Sequence, residues 1–309
     1  MSRISFQLKT KPPFRLDLTV WALRRMPHNS IDRWNGNTYV RAFALDRTPV
    51  KVKVSQEGTI TKPALSVLVS SRKDISDAKM KSMISSRLEK MLGIRMDMRE
   101  FYTLAADDRR LKPLAEQFIG VRPPRFPTIF EALVNAFACQ QLSLNVGITL
   151  LNRLTEKYGM AFEHGGKMIH VFPSPEALER ATHVDLRKLG FSHQKGKAII
   201  EVARDILKKK VDMESLEAMN DNDALDHLLA LKGIGRWSAE YVLLRGLGRI
   251  NIIPSDDVGV QKNLQQFLRL KEKPDYERIK RITRRWKPYA GFVYFHFLLK
   301  RLAEKGYVS

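Results

Sequence analysis

The chain has a single cysteine, Cys139, in 309 residues. One thiol excludes an internal disulfide framework and any four-cysteine zinc or iron–sulfur site, and it fits a reducing compartment. The side chain itself reads as a small buried hydrophobe. Long apolar runs are also missing. Nothing approaches the roughly 20 residues of a membrane span, and MSRISFQLKTK at the start lacks the apolar core of a signal peptide. An intracellular protein is expected, in the cytoplasm or nucleoid, or in the nucleus of a eukaryotic host. The histidines show no His-Glu-x-x-His spacing. Acid is the scarcer charge: 33 Asp plus Glu face 54 Lys plus Arg, a net +21. The excess is spread over both the first hundred residues and the remainder. Such a surplus attracts polyanions at long range, nucleic acid first among them, although charge alone says nothing about fold.

What is present has helical and strand periods in separate regions. YVRAFALD, VKVKVSQEG and ALSVLVSS alternate apolar and polar residues between turn signals, the mark of an antiparallel sheet with one wet face. SDAKMKSMISSRLEKMLG then reads as a helix with Ser76 or Asp77 as cap and Gly93 as stop. From about position 97 strands nearly vanish. PTIFEALVNAFACQQLSLNVGITLLNRLTEKYG has apolar residues at helical spacing between Pro127 and Gly159, and further helices follow, punctuated by Gly, Pro, Ser and Asp. No low-complexity linker separates the two regions, so they are expected to pack directly.

The stretch LKGIGRWSAEY, residues 231–241, joins two helical runs. Gly233 and Gly235 can take positive φ and let another backbone approach closely. The helix after them opens with unpaired N–H groups and a positive dipole end, a seat for a phosphate oxygen. On these residues alone a plain hairpin turn remains equally open. Pro254 then breaks the chain, and Ser255, Asp256 and Asp257 gather at another helix start. Two acids there are either N-caps or, if this end faces nucleic acid, groups with a chemical purpose.

Together, LxxLKGIGRWSAEY and the PSDDVG about twenty residues on resemble the helix-hairpin-helix, Gly/Pro-rich loop and aspartate signature of the HhH-GPD base-excision DNA glycosylases. GRWSAEY, PSDDVGVQK, RRWKPYAGFVYFH and FEALVNAFACQQLSLNVG, with the β-rich start, are similar to its alkylation-repair branch, 3-methyladenine DNA glycosylase II of the AlkA type. The likeness covers nearly the whole chain. It implies an α+β multidomain fold: an N-terminal antiparallel-sheet domain over 1–96, a helical domain with the hairpin over 129–249, and a second helical domain from 97–128 plus 250–309. The active-site cleft lies between the two helical parts in such enzymes.

The implied activity is monofunctional: flipping and hydrolytic excision of alkylated bases, of the 3-methyladenine and 7-methylguanine type, in base excision repair. The rival readings are a non-catalytic helix-hairpin-helix DNA-binding protein and a glycosylase for deaminated or oxidised bases. The family's catalytic aspartate falls on Asp257, with Asp256 a cap or supporting acid. Bifunctional members have a lysine where this chain has Trp237, hence the expected lack of lyase chemistry. Trp237 and Tyr241 share a helix face and are expected to line the base pocket, core burial being the alternative. The family pattern leads to an aromatic at Leu298, where none stands. Trp286 and Tyr289 read as core.

Gly233, Gly235, Lys232 and Arg236 are the implied DNA contacts of the hairpin, and Gln141 or Leu142 the wedge that replaces a flipped base. Leu142 buried at a helix start is the bland alternative. Ser192, Lys195 and Lys197 offer another backbone contact or a solvated face. No cofactor is required, beyond an optional structural Na+ or K+ on the backbone carbonyls of Leu229, Leu231 and Ile234. The expected partner is double-stranded DNA containing alkylated bases, bound by a monomer with no membrane role.

Overall fold

The computed structural model describes residues 2–308 apart from residues 165 and 214, and leaves the side chains of 164 and 167 undescribed. In chain order it comprises β1 (Ser2–Lys9), α1 (Leu16–Arg24), β2 (Arg33–Trp34), β3 (Thr38–Leu45), β4 (Thr48–Thr59), β5 (Lys62–Ser71) and α2 (Asp77–Leu92). Then follow α3 (Arg99–Asp107), α4 (Leu111–Gln117), α5 (Ile129–Cys139), α6 (Leu144–Tyr158), β6 (Ala161–His164), β7 (Lys167–His170), α7 (His183–Lys188) and α8 (His193–Leu207). The last elements are α9 (Ser215–Ala218), α10 (Asp221–Leu229), α11 (Arg236–Arg245), α12 (Val258–Leu268), α13 (Tyr276–Thr283) and α14 (Ala290–Ala303).

The first region is an antiparallel sheet in the order β1-β5-β4-β3-β2. Its period-two pattern works as expected: Val50, Val52 and Val54 of β4 are buried while the residues between them are partly exposed. Register places Val52 opposite Val69 and Val54 opposite Val67, so one face of the sheet is continuous and apolar. Helix α2 covers it with Met80, Ile84 and Leu88 at helical spacing. Ser76 is its N-cap residue and Gly93 its left-handed stop at φ 59°. The strands β1 and β2, and helix α1, escape the sequence pattern.

Two features of the helical region differ from expectation. The segment 127–159 is two helices, α5 and α6, because Gln141 turns left-handed at φ 53° and Ser143 caps a new start by accepting from the Val146 N–H. Strands also return once: β6 and β7 form a hairpin whose Phe162 and Ile169 pack on Ala42 of β3.

Among the described residues, buried apolar side chains form two large clusters. One joins the sheet and α2 to α5, α6, α8 and α11; the other joins α3, α4 and α12 to α14. Helix α1 lies between them, sending Leu16, Val20 and Leu23 into the first and Leu18, Trp21 and Ala22 into the second. It is buried nearly all round, so it has no polar face for a sequence reading to find. The two regions do pack directly. Arg41 on the apolar face of β3 is 2% exposed, and its guanidinium reaches Asp32 at 2.6 Å and both carboxylate oxygens of Glu131 on α5 at 2.7 and 2.6 Å. A buried charge of this kind is tolerated only when paired and hydrogen-bonded.

Candidate active site

The hairpin is built from α10 and α11. Asn220 caps α10, and after Leu229 the chain turns back through Gly233 at φ 85°. A Cβ there would stand 3.0 Å from the Ala198 Cβ and 3.4 Å from the Phe137 ring, so glycine is needed for both conformation and space. Gly235 does not use that freedom: it is extended, at φ −96° and ψ 175°, and open space lies where its Cβ would be. The starts of α5, α6, α7, α8, α10, α12 and α13 carry a side-chain cap; that of α11 has only Gly235, and those of α1, α2, α3, α4 and α14 also lack one. What sets α11 apart is that its uncapped first N–H groups lie at the cleft that holds Asp257.

Asp257 lies across the cleft from this hairpin and is the N-cap of α12. Its Oδ1 accepts from the Val260 N–H at 2.9 Å, and its Oδ2 accepts from the indole N–H of Trp237 at 2.9 Å. Capping is thus done by the second acid of the pair; Asp256, expected as the cap, is exposed at the cleft edge. Gly259 has a role here, since a Cβ on it would stand 2.8 Å from the Asp257 Oδ1 and 3.1 Å from an Arg301 guanidinium nitrogen. Behind the loop, Glu240 of α11 is 1% exposed and accepts from the Ser255 N–H at 2.9 Å and the Tyr276 hydroxyl at 2.8 Å. The Lys280 ammonium is 3.2 Å away. One buried carboxylate therefore ties α11, the loop that presents Asp257, and α13.

The cleft has a volume of about 990 Å³ and gathers Asp257, Trp237, Tyr241, Gly233, Gly235 and Arg236 with Gln141, Leu142 and Lys195. Trp237 stacks on Tyr241 with ring centroids 5.3 Å apart and 24° between planes. Tyr241 is 2% exposed, so it backs Trp237 more than it walls the cleft. Leu142 is 43% exposed, which overturns the buried alternative: the left-handed turn at Gln141 pushes it outward. Gln140 donates from its amide to the Ser238 hydroxyl at 2.5 Å, and Lys195 donates to the Gln140 carbonyl at 2.5 Å, so the turn that carries Gln141 and Leu142 is tied to both α11 and α8.

Other expected residues lie elsewhere. Lys232 is on the outer side of the turn, 3.5 Å from Glu201, and Lys197 is 3.9 Å from the same acid. Trp286 and Tyr289 are core, their polar tips donating to Asp108 at 2.8 Å and Glu100 at 3.0 Å. Of the proposed cation ligands, the Leu231 carbonyl accepts from the Ile234 N–H at 3.1 Å, while no backbone donor among the described residues bonds the carbonyls of Leu229 or Ile234. Two carbonyls without a backbone donor among the described residues, and a third that is shared, are oxygen donors of the kind a monovalent ion takes. Among the described residues no cluster of His, Cys, Asp and Glu could hold a metal, and no helix is long and apolar enough to cross a membrane.

Several cleft residues were not foreseen, Arg25, Tyr294 and Cys139 among them. Arg25, the left-handed cap of α1, is 3% exposed and donates to the Tyr241 hydroxyl at 2.7 Å and to the Asn135 side-chain oxygen at 2.5 Å. Nothing local in the sequence signals a contact spanning 216 positions. Tyr294, one turn before Leu298 on α14, supplies the aromatic missing at 298; the i, i+4 spacing offered that signal. Burial, and then the Asp257 carboxylate, push its phenol well above the usual range. Cys139 also lines the cleft, and burial raises its thiol, leaving it a poor nucleophile.

The geometry agrees with what comparison finds. Residues 134–288 match the family model described as HhH-GPD superfamily base excision DNA repair protein. The chain is 34% identical over 200 residues to the DNA-3-methyladenine glycosylase of Bacillus subtilis (strain 168), covering 65% of this chain and 66% of that protein. It is 28% identical over 177 residues to DNA-3-methyladenine glycosylase 2 of Escherichia coli (strain K12), covering 57% and 59%. These matches span between about half and two thirds of each relative's own length. The 3-methyladenine DNA-glycosylase structure from Archaeoglobus fulgidus superposes with a TM-score of 0.82 at 26% identity, covering 95% of this chain and 97% of that one. With the hairpin, the loop and the capping aspartate arranged around one cleft, the chain belongs to the HhH-GPD superfamily of base excision DNA repair proteins.

Proposed function

We propose that this chain is a monofunctional DNA glycosylase that flips alkylated bases, of the 3-methyladenine and 7-methylguanine type, out of double-stranded DNA and hydrolyses the bond to deoxyribose. The observation that carries the reading is Asp257: an acid in a strongly basic molecule, fixed by two hydrogen bonds at the edge of the cleft beside a phosphate-seating hairpin. As the C1′–N bond breaks, positive charge grows on the sugar. The carboxylate stabilises that charge and orients the attacking water. A methylated purine is already cationic and leaves readily, so one carboxylate suffices where sugar hydrolases use two. Trp237 offers a ring face to the flipped base, the uncapped start of α11 and Arg236 hold backbone phosphates, and Gln141 or Leu142 fills the vacated stack. An Na+ or K+ on the carbonyls of Leu229, Leu231 and Ile234 would add a positive charge toward a phosphate.

Trp237 in place of the family lysine supports hydrolysis without strand cleavage. Lys195 is the only lysine among the described cleft residues, and its ammonium is engaged by the Gln140 carbonyl. A second reading, excision of a neutral deaminated base such as hypoxanthine, is favoured by Arg25, whose fixed positive charge behind Tyr241 opposes a cationic base.

The test is to incubate the full chain with methylated and with hypoxanthine-containing duplexes and chromatograph the freed bases, beside Asp257→Asn. Release of methylated purines by the wild type, with a loss of roughly 100-fold or more in the variant, is expected. Strand breaks should appear only after alkali, and borohydride should trap no protein–DNA adduct. Equal release by the variant would remove Asp257 from its role. Release of hypoxanthine alone would favour the second reading.

A further inference from the structure

A second large cavity is separate from the cleft that holds Asp257. It lies at the far end of α12, about 16 Å along that helix from its aspartate cap, has a volume of about 1240 Å³, and draws Arg109, Arg110, Arg269 and Arg285 toward it. Glu100, Asp107 and Asp108 share that wall. An adjoining cavity of about 400 Å³ takes Arg110 and Arg285 again and adds Arg278 and Arg281, over an apolar floor that includes Leu268 and Ile282. No acid is among its described lining residues.

Spacing explains the convergence. Arg278, Arg281 and Arg285 follow at three- and four-residue steps along α13 and the short 3-10 turn after it, which stacks them on one face. Lys280 points the other way, to Glu240. Two of the arginines are aimed by contacts at a single nitrogen: Arg110 donates through one to the Leu268 carbonyl at 2.7 Å, and Arg285 lies with its Nε 3.5 Å from Asp108. Their remaining N–H groups are left to solvent or a ligand. Among the described residues no carboxylate comes within ion-pair distance of Arg278, Arg281 or Arg269. Like charges at helical spacing reduce the stability of the helix that carries them, and of Arg278, Arg281 and Arg285 only Arg281 lies in the last turn of α13, where the helix dipole favours a cation, so folding accounts for the cluster only in part. An external anion would account for the rest. The planar guanidinium fork matches a phosphate's oxygens in pairs, and the duplex this family acts on is the polyanion at hand.

We propose that the arginine cavity between the α3–α4 turn, the end of α12 and α13 is a second phosphate-backbone site, taking duplex DNA at a distance from the lesion. It rests on the reading that the chain binds duplex DNA, and not on which base it removes.

The test uses the full chain and an undamaged duplex about three helical turns long. The double variant Arg278→Gln with Arg281→Gln removes two cations that have no ion-pair partner among the described residues. Each phosphate contact contributes about 0.9 to the slope of log affinity against log salt, so the slope should fall by about 1.8. A control with the same change of net charge, Lys188→Gln with Lys210→Gln on α7 and after α8, should leave the slope near that of the wild type. Methylated-base release at saturating DNA should be unchanged in the arginine variant. An unchanged slope overturns the proposal; an equal fall in the lysine control also overturns it, as an effect of overall charge. Absence of base release by the wild type would count against the proposed glycosylase, and the slope, read on undamaged DNA, would still decide this site.

Discussion

At the scale of single residues, Asp257 does two jobs with two oxygens, one capping α12 and one facing the Trp237 indole. A hydrogen bond to a charged acceptor is worth about 1.5–3 kcal/mol, and replacing the indole by phenyl removes it while keeping a ring against the base. Trp237→Phe should therefore slow single-turnover excision by about tenfold or more and leave duplex affinity unchanged, as read by rapid quench beside a binding titration. Glu240 acts at one remove, by holding the Ser255 N–H and with it the loop. Glu240→Ala leaves that donor, the Tyr276 hydroxyl and the Lys280 ammonium without their acceptor and should lower both stability and the excision rate. Glu240→Gln retains an oxygen for Ser255 and should recover most of the rate; a denaturant melt and a kcat against KM comparison distinguish the two. Asp257 and Trp237 are legible in the sequence because a motif brings them within twenty positions. Arg25 is not, because only the folded chain carries it to Tyr241, and Glu240 reads as an ordinary polar residue on a helix until its burial is known.

At the scale of elements, the hairpin depends on Gly233, whose φ of 85° and 3.0 Å approach to the Ala198 Cβ leave no room for a side chain. Gly233→Val should cost about 1–3 kcal/mol of stability, seen as a lower melting temperature, and should weaken DNA binding with it. The neighbouring Gly235 has space for a Cβ; under the proposed function it keeps the start of α11 open to a phosphate. Elements with strong periodicity, such as β4, α2 and α8, are readable from spacing alone, since burial on one face forces the pattern. The α5–α6 break is not, because apolar residues continue across it and the stop comes from one left-handed glutamine. Helix α1 and β1 escape for the opposite reason: buried or paired on several sides, they show no clean period.

At the scale of the whole molecule, the long-range charge is positive but the interior carries its own titrating group. His296 of α14 is fully buried among Phe101, Phe118 and Phe292, with Nδ1 3.1 Å from the Phe292 carbonyl and Nε2 without a partner. Burial pushes its pKa down from 6.5 to about 4. The unfolded chain then takes up a proton near 6.5 that the folded chain refuses until about 4, so stability is full above 6.5 and declines as pH falls through that window. The loss should be on the order of 3 kcal/mol, and His296→Phe should flatten the profile between those limits in urea melts followed across pH. Burial of this degree is invisible to a sequence reading, which gave the histidines only the negative role of lacking metal spacing.

The placement of Arg25 also bears on how such proteins can be recombined. The guanidinium that braces Tyr241 enters from the first thirty residues, at the end of α1 between β1 and β2, while the hairpin and its aspartate belong to the later helices. A chimera that joined this leading segment to another family member's helices would bring this chain's Arg25 to the inner end of the other protein's cleft. Under the proposed function, lesion preference would then travel with a part of the chain that lies outside the hairpin and its aspartate.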